Sequence, residues 1–166
     1  MRYPIQVSNT GRVDIRSNKR FVYSGRLSAE KNPMVLVEAA RKANVEVRFL
    51  GEGPMRPQIE AAGYEKCSIS GWLSGDQILG ELKQARAMVL PSIWYEVNPV
   101  APMEALGLGI PVITSSDATT TEEIIHGETG YVFRSKDVDD LAEKLQLLTN
   151  DDHAETLSQN AYDRFW

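Results

Sequence analysis

Two carboxylates, Glu96 and Glu104, stand eight positions apart in the stretch Ser92-Ile-Trp-Tyr-Glu96-Val-Asn-Pro-Val-Ala-Pro-Met-Glu104-Ala-Leu-Gly-Leu-Gly-Ile-Pro-Val-Ile113. A carboxylate accepts from two hydroxyls at once, so each suits a diol. Far upstream, Gly25-Arg26-Leu-Ser-Ala-Glu-Lys31 offers two cations behind a glycine. Cations suit phosphate oxygens, and a glycine lets backbone approach a ligand closely.

The elements around these residues follow from local chemistry. Ala87-Met-Val-Leu90 is a short apolar strand leading into the two-glutamate stretch. Pro99 presets φ for a first helical turn, and Pro102 falls where a missing N–H is tolerated. The spacing therefore predicts strand, loop, then a helix from near Pro99 to Gly107 or Gly109. Free N–H groups at such a helix start can hold an anion, and side chains lean toward that end. Glu104, in the second turn, leans with them. Met103, Leu106 and Leu108 make this helix largely buried, where an unpaired carboxylate is costly; the alternative is a solvated glutamate.

The rest of the chain alternates strands and helices. Phe21–Tyr23 is a strand candidate, and Asn32 and Pro33 are candidate cap and first residue of a helix to about Ala43. Val45–Leu50 alternates as a strand, and Gly51-Glu-Gly53-Pro54 then opens a helix with Met55, Ile59 and Ala62 on one face. This turn is not a dinucleotide fingerprint, because Arg56 holds the third glycine position. Cys67–Ser70 is a short strand ending at Gly71-Trp72. Trp72 either covers a pocket or, as is commoner, is partly buried core. Ser74 or Asp76 caps a helix through about Ala85. Val112–Thr114 is a strand, followed by a polar loop and short helix for which the threonines at 119–121 are candidate caps. Gly130–Phe133 is a strand, Asp137 caps the helix carrying Leu141, Leu145 and Leu148, and a last helix runs from about Asp152 to Trp166. Residues 1–20 are polar and turn-rich, a linker or loose edge element. Short apolar strands alternating with helices predict an α/β fold with a parallel sheet.

Composition bounds the rest. The 166 residues suffice for one domain with a core, and 42% hydrophobic with 25% charged residues is ordinary for a soluble globular chain. A net charge of −5 argues against a broad nucleic-acid surface, so any phosphate site is local. One cysteine, Cys67, forbids an internal disulfide and fits a reducing, cytoplasmic compartment. No apolar run has the length of a membrane span, and no signal peptide is visible. His126, His153 and Cys67 form no ligand-spaced metal cluster, and no Gly-x-Ser-x-Gly elbow is present.

The pattern resembles the family 4 glycosyltransferases, retaining enzymes of the GT-B fold. Pro91-Ser92, Glu96 with Glu104-Ala105, Gly109-Ile-Pro111-Val-Ile113, the Gly25-Arg26-Leu27…Glu30-Lys31-Asn32 turn and Gly127-Glu-Thr-Gly130…Phe133 carry the resemblance, which covers residues 21 to about 150. It implies a Rossmann-like, C-terminal half of a GT-B enzyme over residues 21–166, binding a nucleoside-diphosphate sugar as donor, with no metal or other cofactor. Arg26 and Lys31 would neutralise the diphosphate, Glu104 would hold the ribose and Glu96 the donor hexose. Gly25, Gly53, Gly71, Trp72, Val100 and Ala101 would line the nucleotide site. The acceptor would be a glycan or lipid-linked sugar, bound by an N-terminal domain absent from this chain, with peripheral association at the inner membrane face through that half. Pro99 and Pro102 stand where the family's loop is richer in glycine, leaving fewer N–H donors for the diphosphate. Two other readings stand beside this one. One is a related GT-B enzyme, a sugar-nucleotide epimerase or a phosphorylase, although no lysine is singled out for the latter's pyridoxal phosphate. The other is a non-catalytic nucleotide-binding or interaction module.

Overall fold

The computed structural model describes residues 7–94 and 100–166. Six strands, β1 (Arg20–Ser24), β2 (Val47–Leu50), β3 (Cys67–Ile69), β4 (Ala85–Leu90), β5 (Val112–Ser115) and β6 (Gly130–Phe133), form one sheet in the order β3-β2-β1-β4-β5-β6. Every named pairing is parallel. Among the described residues, six helices cover it: α1 (Pro33–Ala43), α2 (Arg56–Ala61), α3 (Gly75–Leu82), α4 (Val100–Gly107), α5 (Val138–Leu147) and α6 (Asp151–Phe165). The order reverses between β1 and β4, which opens a crevice beyond their carboxyl ends.

A strand covered on both faces is a nearly continuous apolar run. All six residues of β4 are buried, and only Arg86 among them is polar. On one face Phe21, Tyr23, Phe49, Val89 and Phe133 pack with Leu36 of α1 and Leu141 and Leu145 of α5. On the other, Val22, Met88, Leu90 and Val112 pack with Leu82 of α3 and Ala105 and Leu106 of α4.

Local caps fix several ends. Pro33 opens α1, and Asn44 closes it in the left-handed region, its N–H returning to the carbonyls of Ala40 and Arg41. Ser74 and Gln77 form a reciprocal capping box at α3. The Asp137 carboxylate accepts from the Asp140 N–H, 2.9 Å away, at the start of α5.

Other expectations are corrected. Asn32 takes φ 49° and makes no side-chain cap bond. The third helix stops at Leu82, because Ala85 already pairs with Arg20 in the sheet. Val45 and Glu46 precede β2 rather than belong to it. The cap position of the short helix is Ala118 rather than a threonine: Thr119–Glu122 is a 3-10 turn, and Thr120 faces inward, its hydroxyl 2.7 Å from that of Thr114. Pro99 lies outside the described residues, and α4 is described from Val100.

The stretch expected to be loose is docked against α4 and α6, with Val7 beside Gly107 and Asn9 bonded to Tyr162. Ile15, in a 3-10 turn at Ile15–Ser17, is fully buried, and Arg16 and Lys19 pair with Asp152 and Asp151 of α6. Arg86 anchors the same strap. Inside the apolar run of β4, it donates to the carbonyls of Asn18 (2.6 Å) and Leu148 (3.0 Å) and to the Asp151 carboxylate. No helix of the described residues is long and apolar enough to cross a membrane.

Candidate functional site

The crevice is built from turns at the carboxyl end of the sheet. After β1 the chain runs Gly25-Arg26-Leu27 into a 3-10 turn at Ala29–Lys31. Buried Tyr23 braces the turn from below: its hydroxyl donates to the Arg26 carbonyl at 2.6 Å. Ser28 donates to the Glu30 carboxylate at 2.7 Å, and this bond holds that carboxyl below the usual range, with Lys31 and Arg26 assisting through their charge. Arg26 is exposed, and its guanidinium makes no hydrogen bond or ion pair among the described residues.

The turn after β2 lies directly against this one. The Gly25 N–H donates to Leu50 O, Leu27 N–H to Glu52 O and Met55 N–H to Leu27 O, at 3.0, 3.0 and 2.8 Å. A Cβ on Gly51 would sit 2.0 Å from the Gly25 carbonyl oxygen, and one on Gly53 2.4 Å from that of Leu27. Both glycines are therefore required by contact between two turns, whatever Gly53 does for a ligand. Gly71, bridged to Gly51 and at φ 78°, continues the rim, where Glu52 and Glu60 occupy Arg56 at 2.6 and 2.7 Å. Trp72 is 79% exposed, which overturns the expectation of a partly buried core residue.

Two contacts link the cationic turn to the two-glutamate stretch. The Ile93 N–H donates to Glu30 O at 3.0 Å, and Ser115 Oγ of β5 donates to Ser92 O. The chain after β4 is thus tied to the Glu30–Lys31 turn before entering the loop. Glu96 lies outside the described residues. Beyond the loop, Val100 is exposed and Ala101 half-buried at the first turn of α4. Glu104 is half-buried, receives no side-chain hydrogen bond among the described residues, and is pushed upward in pKa by that burial. An interior carboxylate without donors is suited to receive hydroxyls from a ligand. Ile93 also borders a concavity of about 290 Å³ with Asn32, Met34, Val35 and Lys136.

The structure thus brings Gly25, Arg26, Lys31, Gly53 and Gly71 onto the carboxyl edge of the sheet, with Trp72 beside them and α4 rising from the neighbouring strand end. The Tyr23 brace and the Ile93–Glu30 link were not foreseen. Both depend on which strands become neighbours, and no sequence signal marks them. Among the described residues, no three His, Cys, Asp or Glu side chains gather into a metal-binding group.

Known proteins give the arrangement its context. The solved structure of TarM superposes with a TM-score of 0.81 at 20% identity, covering 98% of this chain and 34% of TarM. The Anabaena HepE structure in complex with UDP and glucose superposes at 0.78 and 19% identity, covering 91% of this chain and 44% of that one. The fold is that of the GT-B glycosyltransferases. In sequence, the chain is 28% identical over 157 residues to 2-deoxystreptamine N-acetyl-D-glucosaminyltransferase of Niallia circulans, covering 88% of this chain and 40% of that enzyme. The chain spans less than half the length of the curated relatives it matches. Residues 12–164, from the docked strap to the end of α6, match the family described as "Glycosyl transferases group 1", and the chain belongs to that family.

Proposed function

We propose that this chain is the donor-binding domain of a retaining, family 4 glycosyltransferase that moves a hexose from a nucleoside-diphosphate sugar to a glycan or lipid-linked acceptor. One observation carries the reading: at the switch point of the sheet, an exposed arginine and a lysine share one turn, which is hydrogen-bonded to the chain entering the two-glutamate loop. The UDP and glucose bound by the HepE neighbour support the same class of ligand.

The diphosphate lies against Arg26 and Lys31 and the first N–H groups of α4. Val100, Ala101 and Met103 can donate there, and Pro102 cannot. When the sugar departs, negative charge grows on the diphosphate, and preplaced cations stabilise that growth without a metal ion. Glu104 accepts from the ribose hydroxyls and Glu96 from hydroxyls of the hexose. Gly71 and Trp72 border the base. The acceptor is held by a separate N-terminal domain, so the isolated donor domain binds nucleotide and transfers no sugar. The whole enzyme works in the cytoplasm, at the inner membrane face where its acceptor is lipid-linked. The epimerase, phosphorylase and inert-module alternatives draw no support from any specific contact.

Calorimetric titration with UDP, GDP and ADP tests this reading. One of the three is expected to bind, and to bind equally after EDTA treatment. No binding by any of them, or binding abolished by EDTA, would overturn it.

A further inference from the structure

The helix that carries Glu104 is held at its far end by both ends of the described chain. The last carbonyls of a helix have no partner within it. In α4, the N–H groups of Leu108, Gly109 and Ile110 take those of Glu104, Leu106 and Ala105. The next two come from elsewhere. The indole N–H of Trp166 donates to Gly107 O at 2.9 Å, and the Val13 N–H donates to Leu108 O at 3.0 Å.

Packing closes the same junction. A Cβ on Gly107 would lie 3.0 Å from Val7 and 3.1 Å from Phe165. Gly109, at φ 74°, turns the chain where a Cβ would lie 2.6 Å from the stem of Arg12. Arg12 in turn donates to Glu155 (2.7 Å) and Ser158 (3.1 Å) of α6, and the Tyr162 hydroxyl donates to Asn9 at 2.9 Å. Phe165 and Trp166 meet edge to face at 4.9 Å. Strap, α6 and the end of α4 therefore form one packed unit.

We infer that this clasp sets the position of Glu104, making Trp166 and Arg12 positioning residues for ribose recognition. The inference rests on the donor-site reading above and deepens it. Glu104 lies one turn before Gly107, and no described side chain holds its carboxylate, so its reach into the site follows from where α4 is placed. A hydrogen bond to a diol tolerates only a few tenths of an ångström before it weakens. The cationic turn is braced separately, by Tyr23 and by the turn after β2. Arg26 and Lys31 keep their hold on the diphosphate when α4 shifts, so loosening the clasp impairs ribose recognition more than diphosphate binding.

The test uses whichever of UDP, GDP and ADP the protein binds most tightly, with its 2′,3′-dideoxy counterpart. The parent is expected to prefer the ribonucleotide about tenfold or more, as hydrogen bonds to a charged group imply. W166F keeps an aromatic ring and loses the N–H; R12M keeps an apolar stem and loses both links to α6. Each is expected to cut the preference to about threefold or less, to hold dideoxynucleotide affinity within about twofold, and to speed amide exchange at residues 107–110. An unchanged preference in both variants would overturn the inference, as would equal weakening of both nucleotides, which is what a general structural loss produces. A parent that binds no nucleoside diphosphate would instead overturn the donor-site reading and this inference with it. A parent that binds both forms equally would remove the ribose role of Glu104 on which the inference stands.

Discussion

The two edges of the sheet both carry cations beside a concavity, and they use them differently. At the amino edge, a concavity of about 570 Å³ is lined by Lys19, Asn44, Lys66, Cys67, Arg86 and Thr149 among others. Its cations are taken: Lys19 by Asp151 at 2.7 Å, Lys66 by the Asn44 side chain at 2.8 Å, and Arg86 by two carbonyls and Asp151. At the carboxyl edge the concavity beside Ile93 is smaller, about 290 Å³. On the same edge, among the described residues, Arg26 makes no hydrogen bond or ion pair and Glu104 receives no donor. Volume alone would choose the amino edge, whereas the proposed donor site lies at the carboxyl edge. Charge satisfied by the chain's own groups holds the fold together, whereas unsatisfied charge is available to a ligand.

The largest expected effect is at Arg86. Arg86→Leu leaves the carbonyls of Asn18 and Leu148 without their donor in a buried setting, and destabilises the domain by about 3 kcal/mol. Chemical denaturation measures this, and a loss below about 1 kcal/mol would show that the amino-edge network is not structural.

Glu104→Gln behaves oppositely. It removes a desolvated charge, so the melting temperature stays level or rises, while nucleoside-diphosphate binding weakens by roughly 1.5–3 kcal/mol. Tight binding retained by the mutant would remove the ribose role. Arg26→Ala, at an exposed side chain, is expected to leave stability unchanged and to weaken the same nucleotide about tenfold. A drop in melting temperature without a drop in affinity would place Arg26 with the structural cations.

The smallest effect is acidic. Lys19 and then Arg86 hold the Asp151 carboxyl down at about 2, against about 3.9 for an unfolded aspartate. A depressed folded-state pKa gives stability that is present above pH about 4 and is lost as pH falls toward 2. Asp151→Asn should flatten the stability profile in that window. A mutant profile as steep as the parent's would show that these pairings are not linked to folding.

Much of the fold was legible because its signals are local. Pro33, Ser74 and Asp137 act within their own first helical turns, and each opens or caps a helix where its chemistry predicts. The apolar runs named the strands for the same reason. Arg86 was not legible, because a cation inside a buried strand is tolerable only through carbonyls and a carboxylate 62 to 68 positions away, which no local pattern announces. Ile15 and the strap became part of the core through α6, again a partner distant in sequence. At the site, the residue types were readable and their supports were not. Gly53 was assigned to a pocket rim, and the backbone of Leu27 beneath it is what forbids a side chain there. Trp72 shows the limit of average behaviour, since a tryptophan expected to bury itself stands in solvent at the rim.

The most direct test of the account is to locate the nucleotide on the domain. Amide exchange followed with and without a saturating nucleoside diphosphate reports both edges in one experiment. The account predicts slowed exchange at residues 25–31 and 100–108, and none at 44–46 or 65–68. Protection confined to 44–46 and 65–68 would contradict it and move the binding site to the amino edge.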